Sequence, residues 1–158
     1  MSINPVVAYS IQNIGKNMCF ANPNRNYCTF DEQRVSQIVN EGENALGQIE
    51  EKLKTTNCEA VVLELLYILN RMLDNNVKGI DKLYPTLSRF NNTNSPNIQV
   101  MLSGIYRKTL VPDAYGPLNR MMIRQILYPN SPHFDPTEEI GGAILEYIRA
   151  YSSKELYK

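Results

Sequence analysis

Hydrophobic positions recur with helical spacing along most of the chain, and one stretch is apolar on nearly every side. This stretch runs from Glu59 to Leu73, and eleven of its fifteen residues are apolar. A helix that is hydrophobic all round is buried among other helices. The run is too short to span a bilayer and carries Glu64, Asn70 and Arg71. We therefore predict that it is the buried central helix of a soluble protein.

The other apolar residues form stripes on one face, which predicts helices that pack around the central one. The clearest stripe runs from Val35 to Leu53, over about five turns. It follows Thr29 and Glu32, which have the spacing of a capping box. Asn57 is the predicted N-cap of the central helix. Further predicted helix starts are Asn4-Pro5, Ser95-Pro96, Asp113 or Gly116-Pro117, and Asp135-Pro136, while Gly15 and Leu110-Val111-Pro112 are predicted ends.

Three further stripes concern the middle and the end of the chain. Pro85 lies inside the stripe from Ile80 to Phe90, which predicts a short or kinked helix, because proline is costly in a helix interior. The helix that follows Gly116 is expected to bury Leu118, Met121, Met122, Ile126 and Leu127. The last helix is expected to bury Ile140, Ala143, Ile144, Tyr147, Ile148 and Tyr151.

These stripes predict an all-α, single-domain bundle of six or seven helices, since no stretch shows the period-two alternation of strands. Residues 98–109 align with residues 140–151 at an offset of 42, a spacing typical of HEAT and armadillo helical hairpins. Any two amphipathic helices align in this way, so a globular bundle stays the alternative. We predict an N-terminal helix and polar arm over residues 1–28, a helical core over 29–152 and a short tail over 153–158.

Charge is balanced overall but uneven along the chain. The net charge is zero, with 16 basic and 16 acidic residues. Residues 31–64 contain eight acids and three bases, whereas residues 65–128 contain eight bases and three acids. Helices of opposite charge that pack against each other would explain this pattern without any ligand.

Cysteine usage and the N-terminus bear on the compartment. Cys19, Cys28 and Cys58 are an odd number without a CxxC pair, which favours free thiols in a reducing compartment. No basic segment followed by an apolar run precedes the first helix, so no secretory signal is visible. We predict a cytoplasmic protein without membrane contact. The glycosylation sequon at Asn91 would matter only in another compartment.

Residues with catalytic potential are few. The chain has no glycine-rich phosphate loop, nucleophile elbow or HExxH pattern. Its one histidine, His133, lies in a turn near Asp135 without an identifiable nucleophile, so we expect a solvent-facing loop residue. Three scattered cysteines and one distant histidine do not have the spacing of zinc ligands. We therefore expect no catalytic residue, no metal and no cofactor.

Glu64 is unusual because it lies within the most apolar helix. An ionised and unpaired carboxylate would be costly to bury, so it must reach solvent, a basic residue or another polar partner. A polar seam along the helix surface with Tyr67 and Arg71 is the simpler interpretation. A carboxylate that lines a pocket between helices is the functional alternative.

The best candidate binding surface is basic and lies in the second half of the chain. Its predicted members are Arg107, Lys108, Tyr115, Arg120 and Arg124. Arg120 and Arg124 are four residues apart and project from one helix face. A patch of this kind binds phosphates or acidic partner segments. Alternatively, these bases pair inside the fold with acids of the helix between Asp31 and Glu51.

These observations favour a non-enzymatic protein–protein interaction or adaptor module, as a subunit of a larger assembly. The C-terminal half is rich in Tyr, Met and Arg, types that are enriched at interfaces. We expect a protein partner or self-association. The alternative is nucleic-acid or phosphate-ligand binding through the basic patch, and a small enzyme built from dispersed residues is a third hypothesis.

Overall fold

A computed structural model describes residues 2–15, 30–129, 135–152 and 156, and over these residues the chain is helical and contains no strand. The all-α class is confirmed. Seven described helices have eight or more residues, in agreement with the predicted six or seven. The chain divides into two compact units, residues 1–86 and 87–158. The boundary falls within a one-turn helix, α5 (Tyr84–Leu87), where Pro85 shortens the helix as predicted.

The first unit is built around one buried helix. Its helices are α1 (Pro5–Gln12), α2 (Glu32–Glu41), α3 (Leu46–Thr55) and α4 (Glu59–Asp74). Nine residues of α4 are buried, and Leu65, Leu66, Leu69 and Met72 have no exposed surface. The predicted burial of this helix is therefore confirmed.

Local signals set both ends of α1. The Asn4 side chain accepts a hydrogen bond of 2.8 Å from the backbone N–H of Val6, and Pro5 opens the helix. Gly15 follows the helix with φ of +72°, a conformation that favours glycine. A Cβ atom at Gly15 would lie 2.3 Å from Cγ2 of Val61, so only glycine fits this close approach to α4.

The prediction of one five-turn helix is wrong, because the structure has two helices in its place. The predicted cap is also wrong. Gly42 has φ of +67° and begins a 3-10 turn, Gly42–Ala45, which separates α2 from α3. The N-cap of α2 is Asp31, whose carboxylate accepts hydrogen bonds from the backbone N–H groups of Gln33 and Arg34. Thr29 lies outside the described residues. The apolar stripe did not reveal the break, because the buried residues of α2 and those of α3 follow one helical spacing across it.

The start of α4 also differs from the prediction. The residue before the helix is Cys58, not Asn57, and it makes no side-chain capping bond. Cys58 is disulfide-bonded, so the prediction of three free thiols is wrong. Cys19 and Cys28 lie outside the described residues. An odd number of cysteines still allows one disulfide, and counting could not exclude it.

The second unit contains three long helices, α6 (Pro96–Thr109), α7 (Tyr115–Leu127) and α8 (Thr137–Ala150). Ser95 caps α6 by accepting a hydrogen bond from the N–H of Ile98, as the sequence predicts. Leu110, with φ of +54°, ends α6. The α8 helix packs against both α6 and α7.

The proposed repeat aligns α6 with α8, but the burial of the aligned residues agrees only in part. Ile98 and Ile140 are both buried, whereas the aligned Tyr106 and Ile148 differ, since only Tyr106 is buried. The repeat stays a prediction. No helix within the described ranges is both long and apolar enough to cross a membrane.

Candidate interaction surface

The outer face of α7 is apolar and exposed. Ile123, Ile126 and Leu127 are 54%, 66% and 62% exposed. Residues spaced by three and four lie on one side of a helix, so these three form a single stripe. Tyr128 follows the stripe and is also exposed. Exposed apolar patches with a polar rim mark interaction sites.

This stripe corrects the prediction for α7. Ile126 and Leu127 were expected in the core, but α7 instead buries Tyr115, Pro117, Leu118, Met121 and Gln125. A signal was present in the sequence. Residues 118–127 include Leu118, Met121, Met122, Ile123, Ile126 and Leu127, more apolar positions than one helix face can hold. Such a helix is covered on more than one side or leaves apolar surface exposed.

Two contacts show that α7 and α8 run antiparallel. The rings of Tyr115 and Tyr147 lie with their centroids 5.9 Å apart. About two turns further along α7, a Cβ atom built on Gly141 would lie 3.2 Å from Cε of Met122. From the first contact to the second, the residue number rises in α7 and falls in α8. The end of α7 with Ile126 therefore lies beside the start of α8.

A groove lies above the glycine pair of α8. Its volume is about 660 Å³. Gly141 and Gly142 leave a depression in the helix surface, which Met122 borders on the α7 side and Arg107 on the α6 side. Side chains, not a neighbouring backbone, lie over these glycines. Among the described residues, its lining is Arg107, Met122, Thr137, Glu138, Glu139, Gly141, Gly142, Ile144 and Leu145.

The stripe and the groove form one surface. Met122 lines the groove and lies one turn before Ile126 on α7. On α8, Leu145 and Ile148 are both more than half exposed. Ile148 was expected in the core, but the buried side of α8 consists of Ile140, Ala143 and Tyr147. We call Met122, Ile123, Ile126, Leu127, Gly141, Leu145 and Ile148 the α7–α8 surface.

The structure disperses the predicted basic patch among different roles. Nη2 of Arg107 lies 3.7 Å from Oε1 of Glu146 in α8, and the Arg107 side chain is partly exposed. Lys108 and Arg120 are exposed. Arg120 folds back along α7, with Nη1 3.2 Å from the position of a Cβ atom on Gly116. What these residues bind stays a prediction.

Two members of the patch are engaged inside the second unit. Tyr115 is buried against Tyr147, so the expectation that it edges an exposed patch is wrong. Arg124 donates to the backbone carbonyl of Asn91 at 2.8 Å and to the side-chain oxygen of Asn92 at 3.2 Å. Its Nε is buried and has no hydrogen-bond partner within the part of the chain that the structure describes. Arg124 therefore holds the turn before α6.

The same turn contains Asn91, the asparagine of the glycosylation sequon. Asn91 is buried, and its side-chain oxygen accepts a hydrogen bond of 2.6 Å from the Tyr106 hydroxyl. Nearby, the Gln125 amide donates to the side-chain oxygen of Gln99 at 2.7 Å. A glycan on Asn91 would require the turn to open. The sequon is therefore inaccessible in the folded protein.

Glu64 forms a buried ion pair in the first unit. Nη2 of Arg34 donates to both carboxylate oxygens of Glu64, at 2.6 and 2.8 Å. Glu64 has no exposed surface, and the Arg34 side chain is 23% exposed. Burial raises the pKa of Glu64, while the hydrogen bond and the charge of Arg34 oppose that rise. Burial also lowers the pKa of Lys52, a neighbour whose charge interacts with Glu64.

Neither interpretation of Glu64 as a seam or a pocket residue holds. The carboxylate is fully buried and is satisfied by a base 30 residues earlier in the chain. Arg71 and Tyr67 instead belong to a separate surface cluster. Arg71 donates to the Glu32 carboxylate and to the Tyr67 hydroxyl, both at 3.1 Å.

No cluster of metal-binding side chains is found in the described part of the chain. His133 lies outside that part. The α7–α8 surface is the feature with the clearest capacity to bind another molecule. Comparison of the chain with known protein families, curated proteins and solved structures finds no match.

Proposed function

We propose that this protein is a non-enzymatic protein-interaction module that meets its partner through the α7–α8 surface. The observation that carries the proposal is the exposed stripe of Ile123, Ile126 and Leu127 on α7. Three large aliphatic side chains on one helix face lower the free energy when a partner covers them, because their apolar area leaves water. The adjoining groove adds a concave site that a protruding side chain can fill.

Photo-cross-linking tests this proposal directly. A p-benzoylphenylalanine replacing Leu127, in extracts of the source cells, should give a covalent adduct with a partner. Ile126→Asp in the same chain should remove the adduct, because a carboxylate in the apolar contact would have to be desolvated. The matched control places the same cross-linker at Lys82, an exposed residue of the first unit. An adduct that persists with Ile126→Asp, or no adduct at position 127, would contradict the proposal.

Nucleic-acid or phosphate binding is the competing function, and the contacts of the basic residues argue against it. Arg124 is engaged with the turn before α6, and Arg107 is paired with Glu146. The predicted patch therefore offers mainly Lys108 and Arg120 to a phosphate backbone. Two exposed bases can neutralise few phosphates. They would therefore release few of the counterions whose release drives such binding.

A fluorescence titration with single-stranded and duplex oligonucleotides checks this expectation. At two salt concentrations we expect no binding in the micromolar range. The informative variant is Arg120→Ala, because Arg124→Ala would also disturb the fold through Asn91. Salt-sensitive micromolar binding that weakens in Arg120→Ala would establish the competing function.

A further inference from the structure

The start of α4 carries a covalent cross-link. Cys58, the residue before the helix, is disulfide-bonded and partly exposed. Its carbonyl accepts the first hydrogen bond of the helix, at 3.0 Å from the N–H of Val62. Its own N–H donates to the Thr56 hydroxyl at 3.1 Å. The disulfide is therefore attached where the turn after α3 becomes the buried helix of the first unit.

The cross-link belongs wholly to the first unit. The other cysteines of the chain are Cys19 and Cys28, so one of these two is the partner of Cys58, and both precede α2. Either pairing closes a loop of the chain that contains α2 and α3 and ends at α4. Residues 87–158 contain no cysteine. A disulfide stabilises mainly by restricting the unfolded chain that it closes, so its effect is expected in the first unit.

The two helices inside this loop are held to the fold by buried contacts with the rest of the unit. Arg34 of α2 is the base that pairs with the buried Glu64 of α4. On α3, Ile49 and Leu53 have no exposed surface. The loop closure opposes the separation of α2 and α3 from α4, because the opened chain is less free while the disulfide is intact.

The position of this disulfide favours exchange with thiols. Cys58 is accessible because it is partly exposed. The N-terminus of a helix favours negative charge, so the Cys58 thiolate that reduction releases is stabilised at the start of α4. Because the chain has three cysteines, one disulfide leaves one thiol over. Its thiolate can attack the disulfide, form a new S–S bond and displace the other sulfur, which needs no external oxidant.

We propose that the Cys58 disulfide is a redox switch of the first unit, whose reduction makes α2 and α3 open from α4 more often. In the reducing step, two small-molecule thiols give up two electrons and two protons. The first sulfur attacks the disulfide and displaces one cysteine, and the second thiol displaces the first from the other cysteine. The products are one small-molecule disulfide and two protein thiols.

Hydrogen exchange measured by mass spectrometry tests the switch. The oxidised wild type is compared with the same protein reduced by dithiothreitol. After reduction, the slowest amides of α4 should exchange about a hundredfold faster, the equilibrium equivalent of a typical disulfide stabilisation. Amides of α6, α7 and α8 should change by less than about twofold, since the second unit holds no cross-link. Re-oxidation should restore the slow exchange.

The matched variant is Cys58→Ser. Serine is a good N-cap, so this change removes the disulfide without weakening the start of α4. The variant should exchange like the reduced wild type, with or without dithiothreitol. Cys58→Asp, which also caps a helix, replaces it if Cys58→Ser loses helical circular dichroism. An acceleration in α4 below about tenfold, or equal acceleration in both units, would overturn the switch.

Two further measurements check the chemistry and separate this inference from the proposed function. Iodoacetamide should modify one cysteine of the denatured protein before reduction and all three afterwards, and modification of all three before reduction would overturn the switch. The cross-link from position 127 should form in both redox states, because the α7–α8 surface belongs to the second unit. Its loss only on reduction would overturn the switch, whereas its absence in both states would contradict the proposed function alone.

Discussion

Leu66→Ala is expected to lower the free energy of unfolding by roughly 2–5 kcal/mol, the usual cost of removing a buried leucine side chain. Leu66 has no exposed surface and lies in the middle of α4, whose flanking residues Leu65, Leu69 and Met72 are equally buried. The substitution leaves a cavity that the surrounding helices can fill only partly. Chemical denaturation followed by circular dichroism measures the change.

Leu127→Ala is the matched control. Leu127 is mostly exposed on α7, so the same chemical change should alter the free energy of unfolding by less than about 0.5 kcal/mol. A loss below that size for Leu66→Ala would mean that α4 is not the centre of its unit. The comparison separates burial from the helix propensity of the residue, since both sites are helical.

Arg34→Met is expected to lower the free energy of unfolding by about 3 kcal/mol at neutral pH, the lower end of the range for breaking a buried ion pair. The low end applies because Arg34 is itself 23% exposed. The loss arises from Glu64, which stays buried and loses the guanidinium that bonds both of its oxygens. Arg34→Met with Glu64→Leu should recover most of the loss, because the double change leaves no buried charge.

The pH dependence of the Arg34→Met variant identifies the mechanism. Burial already raises the pKa of Glu64, and removal of Arg34 takes away the largest opposing influence. A folded-state pKa above the unfolded value means that the folded state binds more protons, so stability falls as pH rises through that window. Part of the loss should therefore disappear as the pH falls below the raised pKa. A loss independent of pH would instead indicate a packing defect around Arg34.

Interactions within a few residues were predictable because they depend on local sequence. The helical class follows from apolar spacing along each stretch, and Asn4 and Ser95 cap the helices that begin beside them. The burial of α4 also followed from sequence, since a segment that is apolar on nearly all sides has no face suited to water. Pro85 limited its helix for an equally local reason, the ring that replaces its N–H.

Where several apolar or polar residues were equivalent in the sequence, only tertiary packing determined which were buried and which were paired. Both sides of α7 are apolar, and the position of α8 decided that Leu118 and Met121 are buried while Ile126 is exposed. The partner of Glu64 lies 30 residues away, at a separation where a sequence contains many candidate bases. Tyr115 was assigned to a surface because a tyrosine ring suits both a core and an interface.

The sequence by itself determined the helical class, the starts of α1 and α6 and the burial of α4, because periodicity and capping act over a few residues. Tertiary structure alone decided the internal roles of Tyr115 and Arg124 and the exposure of the α7 stripe. These outcomes depend on which distant segments meet. The sequence of a helix shows that the helix has an apolar face, but the packing of neighbouring helices determines whether that face is covered.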